Sequence, residues 1–248
     1  MADDLHRARS FGARAAEYAE HRPDYPAEGV CWALAAATRD VRQVLDLAAG
    51  TGKLTGGLLA LGLEVTAVEP DGGMRVELAR RLPGVDVRAG TAEEIPLPAG
   101  SVDAVLVGQA FHWFDADAAL TEIARVLRPG GAVGALWNAE DRNAEWVAGL
   151  LEVSGTSVSN VEPDDLLFPA HPLFAPPEET AFRHTHRRTV GSLGETFATH
   201  SRMLVIDDTE RAAVLGRIRD YLAARQETAG GEFDMPLVTK VVRATLGS

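Results

Sequence analysis

The stretch Val44-Leu45-Asp46-Leu47-Ala48-Ala49-Gly50-Thr51-Gly52-Lys53-Leu54-Thr55 constrains this chain more than any other. A short apolar strand runs into a glycine turn, and an apolar-periodic helix follows over 54–61 until Gly62 stops it. Glycines at 50 and 52 let the backbone turn tightly and pass a ligand with no Cβ in the way, and the following helix presents unpaired N–H groups. The strand, the turn and the helix together form one β-turn-α unit built to hold something.

The unit then repeats. Residues 63–68 read as a strand and 74–82 as a helix, followed by strands over 85–89 and Val102–Gly108. A helix over 117–127 closes at Arg128-Pro129-Gly130-Gly131, and a strand resumes over 132–137. Upstream, helical patterns over 5–20 and 27–38 are separated by Pro23 and Pro26. Beyond Asn138 the alternation is irregular: a proline-rich loop over 162–178, a strand over 180–189, helices over 191–203 and 209–225, and a last strand over 235–243. This order predicts a doubly wound, Rossmann-like, mainly parallel seven-stranded α/β sheet with N-terminal helices and a C-terminal helical cover. We expect one domain over 1–248, its core at 40–137, with 138–248 completing the sheet and covering the cleft. Ligands of such sheets bind at the carboxyl ends of the strands.

Composition narrows the partners. The formal net charge of −12, from 24 basic and 36 acidic side chains, repels a phosphate backbone and argues against a nucleic-acid substrate. The dense basic stretch Arg183-His184-Thr185-His186-Arg187-Arg188 reads as a solvated strand face. One cysteine, Cys31, excludes an intrachain disulfide, and its Ala-rich helical setting suggests a buried packing residue in a reducing compartment. No signal-peptide core is visible and no apolar run approaches the ~20 residues of a membrane span, so a cytoplasmic location is expected.

Three ligand classes compete for the turn. A phosphate-cradling loop requires a glycine five positions before Gly52-Lys53 and a Ser or Thr after, where this chain has Leu47 and Leu54. A dinucleotide fold wants a third glycine at the position of Thr55, and Gly56 comes one place late. Asp46 discriminates between the remaining readings: a carboxylate at the strand end repels a pyrophosphate and suits the ammonium of an amino acid. Glu69, 19 positions beyond Gly50, can accept both hydroxyl protons of a ribose. A nicotinamide-dependent oxidoreductase, with NAD or NADP on the turn, stays open as an alternative.

The motif series Asp46-Leu47-Ala48-Ala49-Gly50-Thr51-Gly52, Val68-Glu69-Pro70 with Met74, Gly90-Thr91-Ala92-Glu93 and Leu127-Arg128-Pro129-Gly130-Gly131 resembles class I S-adenosylmethionine (SAM) dependent methyltransferases. Tyr18 to Pro26 and Gln109-Ala110-Phe111-His112-Trp113-Phe114 resemble a subgroup that includes trans-aconitate methyltransferase-like enzymes. The resemblance implies SAM as methyl donor, S-adenosylhomocysteine as product, a small-molecule acceptor, and a monomer or homodimer. It implies a cofactor site drawn from Asp46, Ala48, Gly50, Gly52, Glu69, Pro70 and Met74. Gly50 and Gly52 would lie by the methionine moiety, Glu69 at the ribose and Met74 against adenine. Thr91 and Ala92 would meet the adenine edge and Gln109 the sulfur, while Arg22, with Tyr18 nearby, would reach the cofactor carboxylate. A non-catalytic SAM-binding protein would share all of these.

Methyl transfer from a sulfonium is an in-line displacement, so alignment of the reactants is the main requirement and no metal is needed. A base helps only where the nucleophile starts protonated. His112 is the candidate base, in a turn that also carries Phe111, Trp113 and Phe114; the competing reading makes it a pocket wall. His184 and His186 would share a strand face at a spacing compatible with a metal, yet no acidic or cysteine partner accompanies them. Lys53 is expected to be exposed.

Overall fold

A computed structural model describes residues 22–155, 168–198, 203 and 206–247. Among these, seven strands form one sheet in the order β3-β2-β1-β4-β5-β7-β6. They are β1 (Gln43–Leu47), β2 (Glu64–Val68), β3 (Asp86–Arg88), β4 (Val102–Gly108), β5 (Leu127–Glu140), β6 (Glu178–Thr189) and β7 (Glu232–Thr245). β7 runs antiparallel to both of its neighbours; the β1–β2, β1–β4, β2–β3 and β4–β5 pairs are parallel. The expected doubly wound sheet is therefore present. The chain crosses from one half of the sheet to the other between β1 and β4, and the carboxyl ends of those two strands frame the crevice where such folds place ligands.

Helices cover both faces. On one face, α1 (Ala27–Leu34) and α2 (Lys53–Ala60) bury Val30, Ala33, Leu54 and Leu58 against Val44, Ala104 and Leu106. The even positions of β1 thus face α2, and Asp46 shares that side with Val44. α3 (Gly72–Arg81) starts at Asp71, whose carboxylate accepts the Met74 N–H at 2.9 Å, and ends on Arg80 and Arg81, which complement the helix dipole. On the other face, α4 (Ala116–Val126) presents Ala119, Leu120, Ile123 and Val126, spaced at helical period, to Val105, Val107, Val133 and Ala135. The Asp115 side chain caps it by accepting from the Ala118 N–H.

The C-terminal third extends the sheet past its parallel core. β5 pairs with β7 only as far as Glu140↔Leu237, whereas β6 and β7 stay paired out to Thr189↔Glu232. That projecting ribbon carries Phe233, Met235 and Leu237, which pack with α5 (Glu145–Ser154), α6 (Val190–Ala198) and α7 (Asp208–Ala223) in a second core. These helices cover the ribbon.

Several boundaries differ from the sequence reading. α5 occupies a segment read as irregular, although Trp146, Val147, Leu150 and Leu151 recur at helical spacing. β5 begins at Leu127, before the Pro-Gly-Gly turn, and the turn survives as a register shift between Val102↔Leu127 and Ala104↔Ala132. Cys31 is exposed, because α1 turns Val30 and Ala33 inward and leaves residue 31 on the solvent side. The helix expected over 5–20 lies outside the described residues.

Candidate functional site

The site is built at the carboxyl ends of β1, β2 and β4. Among the described residues, two that are not glycine have positive φ: Ala48 at 56° and Gln109 at 57°. Each is the first residue after its strand, β1 or β4, and these strands are neighbours. A left-handed residue with a Cβ costs roughly 1–2 kcal/mol and persists only where its surroundings enforce it, which is common at binding sites. Here the backbone is held by hydrogen bonds: Gln109 N–H donates to Leu136 O at 2.8 Å and its Nε2 to Asn138 O at 2.9 Å.

The two glycines of the turn do different work. Gly50 has φ +57°, and a Cβ there would meet nothing within 4 Å, so its face of the turn is open to a ligand. Gly52, at φ +87°, would put a Cβ 2.9 Å from Leu78 Cγ, so its bareness lets α3 pack beneath the turn.

Two carboxylates flank Gly50. Asp46 is 1% exposed; its Oδ2 accepts the Thr55 hydroxyl at 2.5 Å, and its Oδ1 accepts from no described group. Burial lifts this carboxyl to about 7, against the pull of the Thr55 hydroxyl and N–H, and the nearby Glu69 charge adds to the rise. Thr51 Oγ1 is likewise buried without a partner in the same turn. Glu69, at the end of β2, accepts the Gly50 N–H on Oε2 at 2.9 Å and the Asp71 N–H on Oε1 at 2.8 Å. Burial also raises its pKa, opposed by those two backbone donors. It thus clamps the turn after β1 to the end of β2 and keeps spare lone pairs on both oxygens.

The remaining candidates fall around this centre. Pro70 is exposed next to Glu69, and Met74 is buried at the start of α3. Thr91 is exposed while Ala92 sits in the core. Arg22 is half-buried at the start of the described chain; Tyr18 lies outside the described residues. Phe111 is 2% exposed and packs on Phe168 with ring centroids 4.7 Å apart, whereas Trp113 is 48% exposed. His112 lies between them, half-buried, with its pKa held down by burial. Trp137 Nε1–H donates to its Nδ1 at 3.4 Å.

Other parts were not anticipated. Lys53 is not exposed as expected: its side chain, 18% accessible, meets Asp24 Oδ1 at 3.1 Å, so α2 is tied to the segment before α1. Tyr25 lies against Gly108, where an added Cβ would stand 2.5 Å from its hydroxyl oxygen. Asn138 Nδ2 donates to Asp24 O at 3.2 Å, and the Thr239 hydroxyl donates to Asn138 Oδ1 at 2.5 Å. His184 Nε2 stands 2.9 Å from the same hydroxyl. A polar chain thus runs from Gln109 across β5 and β7 to β6. The signal for it in sequence was the alternation of Phe182, His184, His186 and Arg188, which are the more buried side chains of β6. Among the described residues no three His, Cys, Asp or Glu side chains cluster as a metal would need, and no helix is long and apolar enough to cross a membrane. A cavity of about 230 Å³ opens at the amino ends of β1, β2 and β4, beside Gln43, Glu64 and Ser101, at the opposite edge of the sheet from this site.

A buried acid beside an open glycine turn and a second acid at the end of β2 thus come together at the β1/β4 switch point of a doubly wound sheet. Residues 45–134 match the family described as "Methyltransferase domain". An uncharacterized methyltransferase of Mycobacterium tuberculosis strain H37Rv is 42% identical over 242 residues, covering 96% of each chain. One from Schizosaccharomyces pombe is 33% identical over 240 residues, covering 92% of this chain and 94% of its own. A solved structure from Anaeromyxobacter dehalogenans, named for a type II methyltransferase, aligns with TM-score 0.59 at 27% identity over 91% of this chain and 97% of the other. The chain belongs to the methyltransferase family.

Proposed function

We propose that the protein transfers a methyl group from SAM to a small-molecule acceptor. The observation that carries this reading is the buried Asp46 carboxylate, whose Oδ1 lacks a partner beneath the open Gly50 turn. An ammonium placed there would complete its hydrogen bonding and stabilise its charge, whereas a diphosphate would meet a buried acid. Glu69 supports the reading, because its spare lone pairs suit two ribose hydroxyls. Met74 and Ala92, both buried, would back an adenine pocket rather than face solvent, and Gln109 stands where β4 ends next to β1. Bound SAM supplies an electrophilic methyl group with a neutral sulfide as leaving group. The protein's part is to hold the acceptor in line with it and to exclude water, and the α5–α7 cover over the β6–β7 ribbon is suited to both. The net charge of −12 favours a small acceptor over a nucleic acid.

Isothermal calorimetry with SAM and S-adenosylhomocysteine tests the assignment. Binding of both is expected, and absence of heat at ~1 mM ligand would overturn it. Release of S-adenosylhomocysteine across a panel of phenols, carboxylic acids and amines then identifies the acceptor class.

A further inference from the structure

Gln109 marks the carboxyl edge of the sheet, because its N–H donates to Leu136 O at 2.8 Å just where β4 ends. Trp137, the next residue of β5, lies at that same level and packs its side chain on the face covered by α4. Its indole N–H donates to His112 Nδ1 at 3.4 Å. His112 is therefore held over the carboxyl ends of β4 and β5, and the strand on the other side of β4 is β1, which leads into the Gly50 turn. Ligands of doubly wound sheets bind along that edge.

The hydrogen bond fixes what the ring can do. An indole N–H only donates, and Trp137 is buried in the core, so it requires an acceptor. A flipped imidazole would present a carbon there, so Nδ1 is the atom that accepts, and the neutral ring carries its proton on Nε2. Burial pushes the pKa of the ring below the ordinary histidine range, which keeps it neutral. Among the described residues Nε2 meets no hydrogen-bond partner, and it is not sealed from solvent. On one side in sequence Phe111 anchors the turn in the core; on the other the exposed Trp113 stands with its ring centroid 4.7 Å from the imidazole and limits its rotation.

Resting on the SAM reading above, we infer that His112 is neither a base nor a bare wall but a hydrogen-bond donor, whose Nε2–H binds an oxygen of the methyl acceptor. The one lone pair of the ring that could take a proton is engaged by Trp137, so the acceptor loses no proton to His112. The acceptor class that fits carries a carbonyl, carboxylate or phenolate oxygen, whose lone pairs meet that N–H. A molecule without such an oxygen would leave the half-buried donor unpartnered, and this is the basis of selection.

Two measurements on the whole chain test the assignment. Long-range ¹H–¹⁵N spectra of ¹⁵N-histidine-labelled protein need no acceptor: His112 should be a single Nε2–H tautomer at about neutral pH, and Trp137→Phe should turn it into a tautomer mixture. An Nδ1–H tautomer in the unsubstituted protein would overturn the inference. Calorimetry with S-adenosylhomocysteine is run alongside; failure to bind would sink the SAM reading alone and leave the ring assignment measurable. Kinetics then use the fastest acceptor of the phenol, carboxylic acid and amine panel. His112→Gln keeps both halves of the arrangement, since its amide oxygen can accept from Trp137 and its amide N–H can donate to the acceptor. It should leave the acceptor KM within about twofold, whereas His112→Phe, which keeps a ring but no donor, should raise KM about tenfold with a smaller change in kcat. A base would lower kcat about 10²-fold in both variants, and a wall would leave His112→Phe unchanged; either result refutes the donor role. Rapid methylation of an oxygen-free amine, unaffected by His112→Phe, would refute it as well. The spectra decide the tautomer even where His112→Phe does not fold.

Discussion

Replacing Asp46 with asparagine should stabilise the ligand-free protein at alkaline pH and weaken SAM binding in the same step. Burial raises the Asp46 carboxyl from 3.8 to about 7. An acid whose pKa is raised on folding binds its proton more tightly in the folded state, so stability falls as pH rises from ~4 to ~7 and then levels, at about 1.4 kcal/mol per pH unit. Over that span the folded protein gives up about 4 kcal/mol at this one side chain. Asparagine removes the charge, and its Oδ1 can still accept from Thr55, but its amide replaces the partnerless oxygen and leaves a buried donor costing about 1–3 kcal/mol. The net expectation at pH 8 is a variant more stable by about 1–3 kcal/mol, and at pH 5 one of equal or lower stability. Urea unfolding of both proteins between pH 5 and 9 reads the difference directly. Glu69 titrates in both and couples to Asp46, so the difference reports residue 46 together with that coupling. A stability difference that does not change with pH, or SAM affinity preserved in the variant, would refute the reasoning that this carboxylate is a destabilising charge held for a cationic ligand.

Glu69→Gln should cut SAM affinity at least tenfold, about 1.4 kcal/mol by calorimetry, because one of the two backbone N–H groups is left facing an amide donor and the ribose hydroxyls lose an anionic acceptor. Gly52→Ala should destabilise by more than ~1–2 kcal/mol in urea unfolding, since it adds left-handed strain at φ +87° to a 2.9 Å clash with Leu78. Gly50→Ala carries a similar strain but no clash, so it should cost less stability than Gly52→Ala while lowering SAM affinity more. Gly108→Ala should displace the Tyr25 ring and cost about 1–3 kcal/mol, read as a lower Tm.

What was legible in the sequence and what was not divides along physical lines. Strands read well where they are buried on both faces. Val102–Gly108 is almost entirely interior, so its apolar run has one explanation, and the turn after β1 is marked by glycines that local geometry requires. Boundaries slipped where tertiary contacts override local signals: the Pro-Gly-Gly turn sits inside the span of β5 because its flanks pair with β4, and α5 hid behind a loss of strand–helix alternation. In the site, the acids at 46 and 69 announced themselves by lying at strand ends. The His184 chain did not, because a histidine among arginines on an edge strand looks solvated until β7 is paired beside it. Thr239 and Asn138 stand opposite each other in the β5–β7 register, a hundred residues apart in sequence, and only that pairing converts two ordinary polar residues into a relay reaching Gln109. The candidate cofactor residues lie in short local motifs, so sequence carries them. The Asn138–Thr239–His184 contacts come from strand pairing, so they become visible only when the sheet is closed.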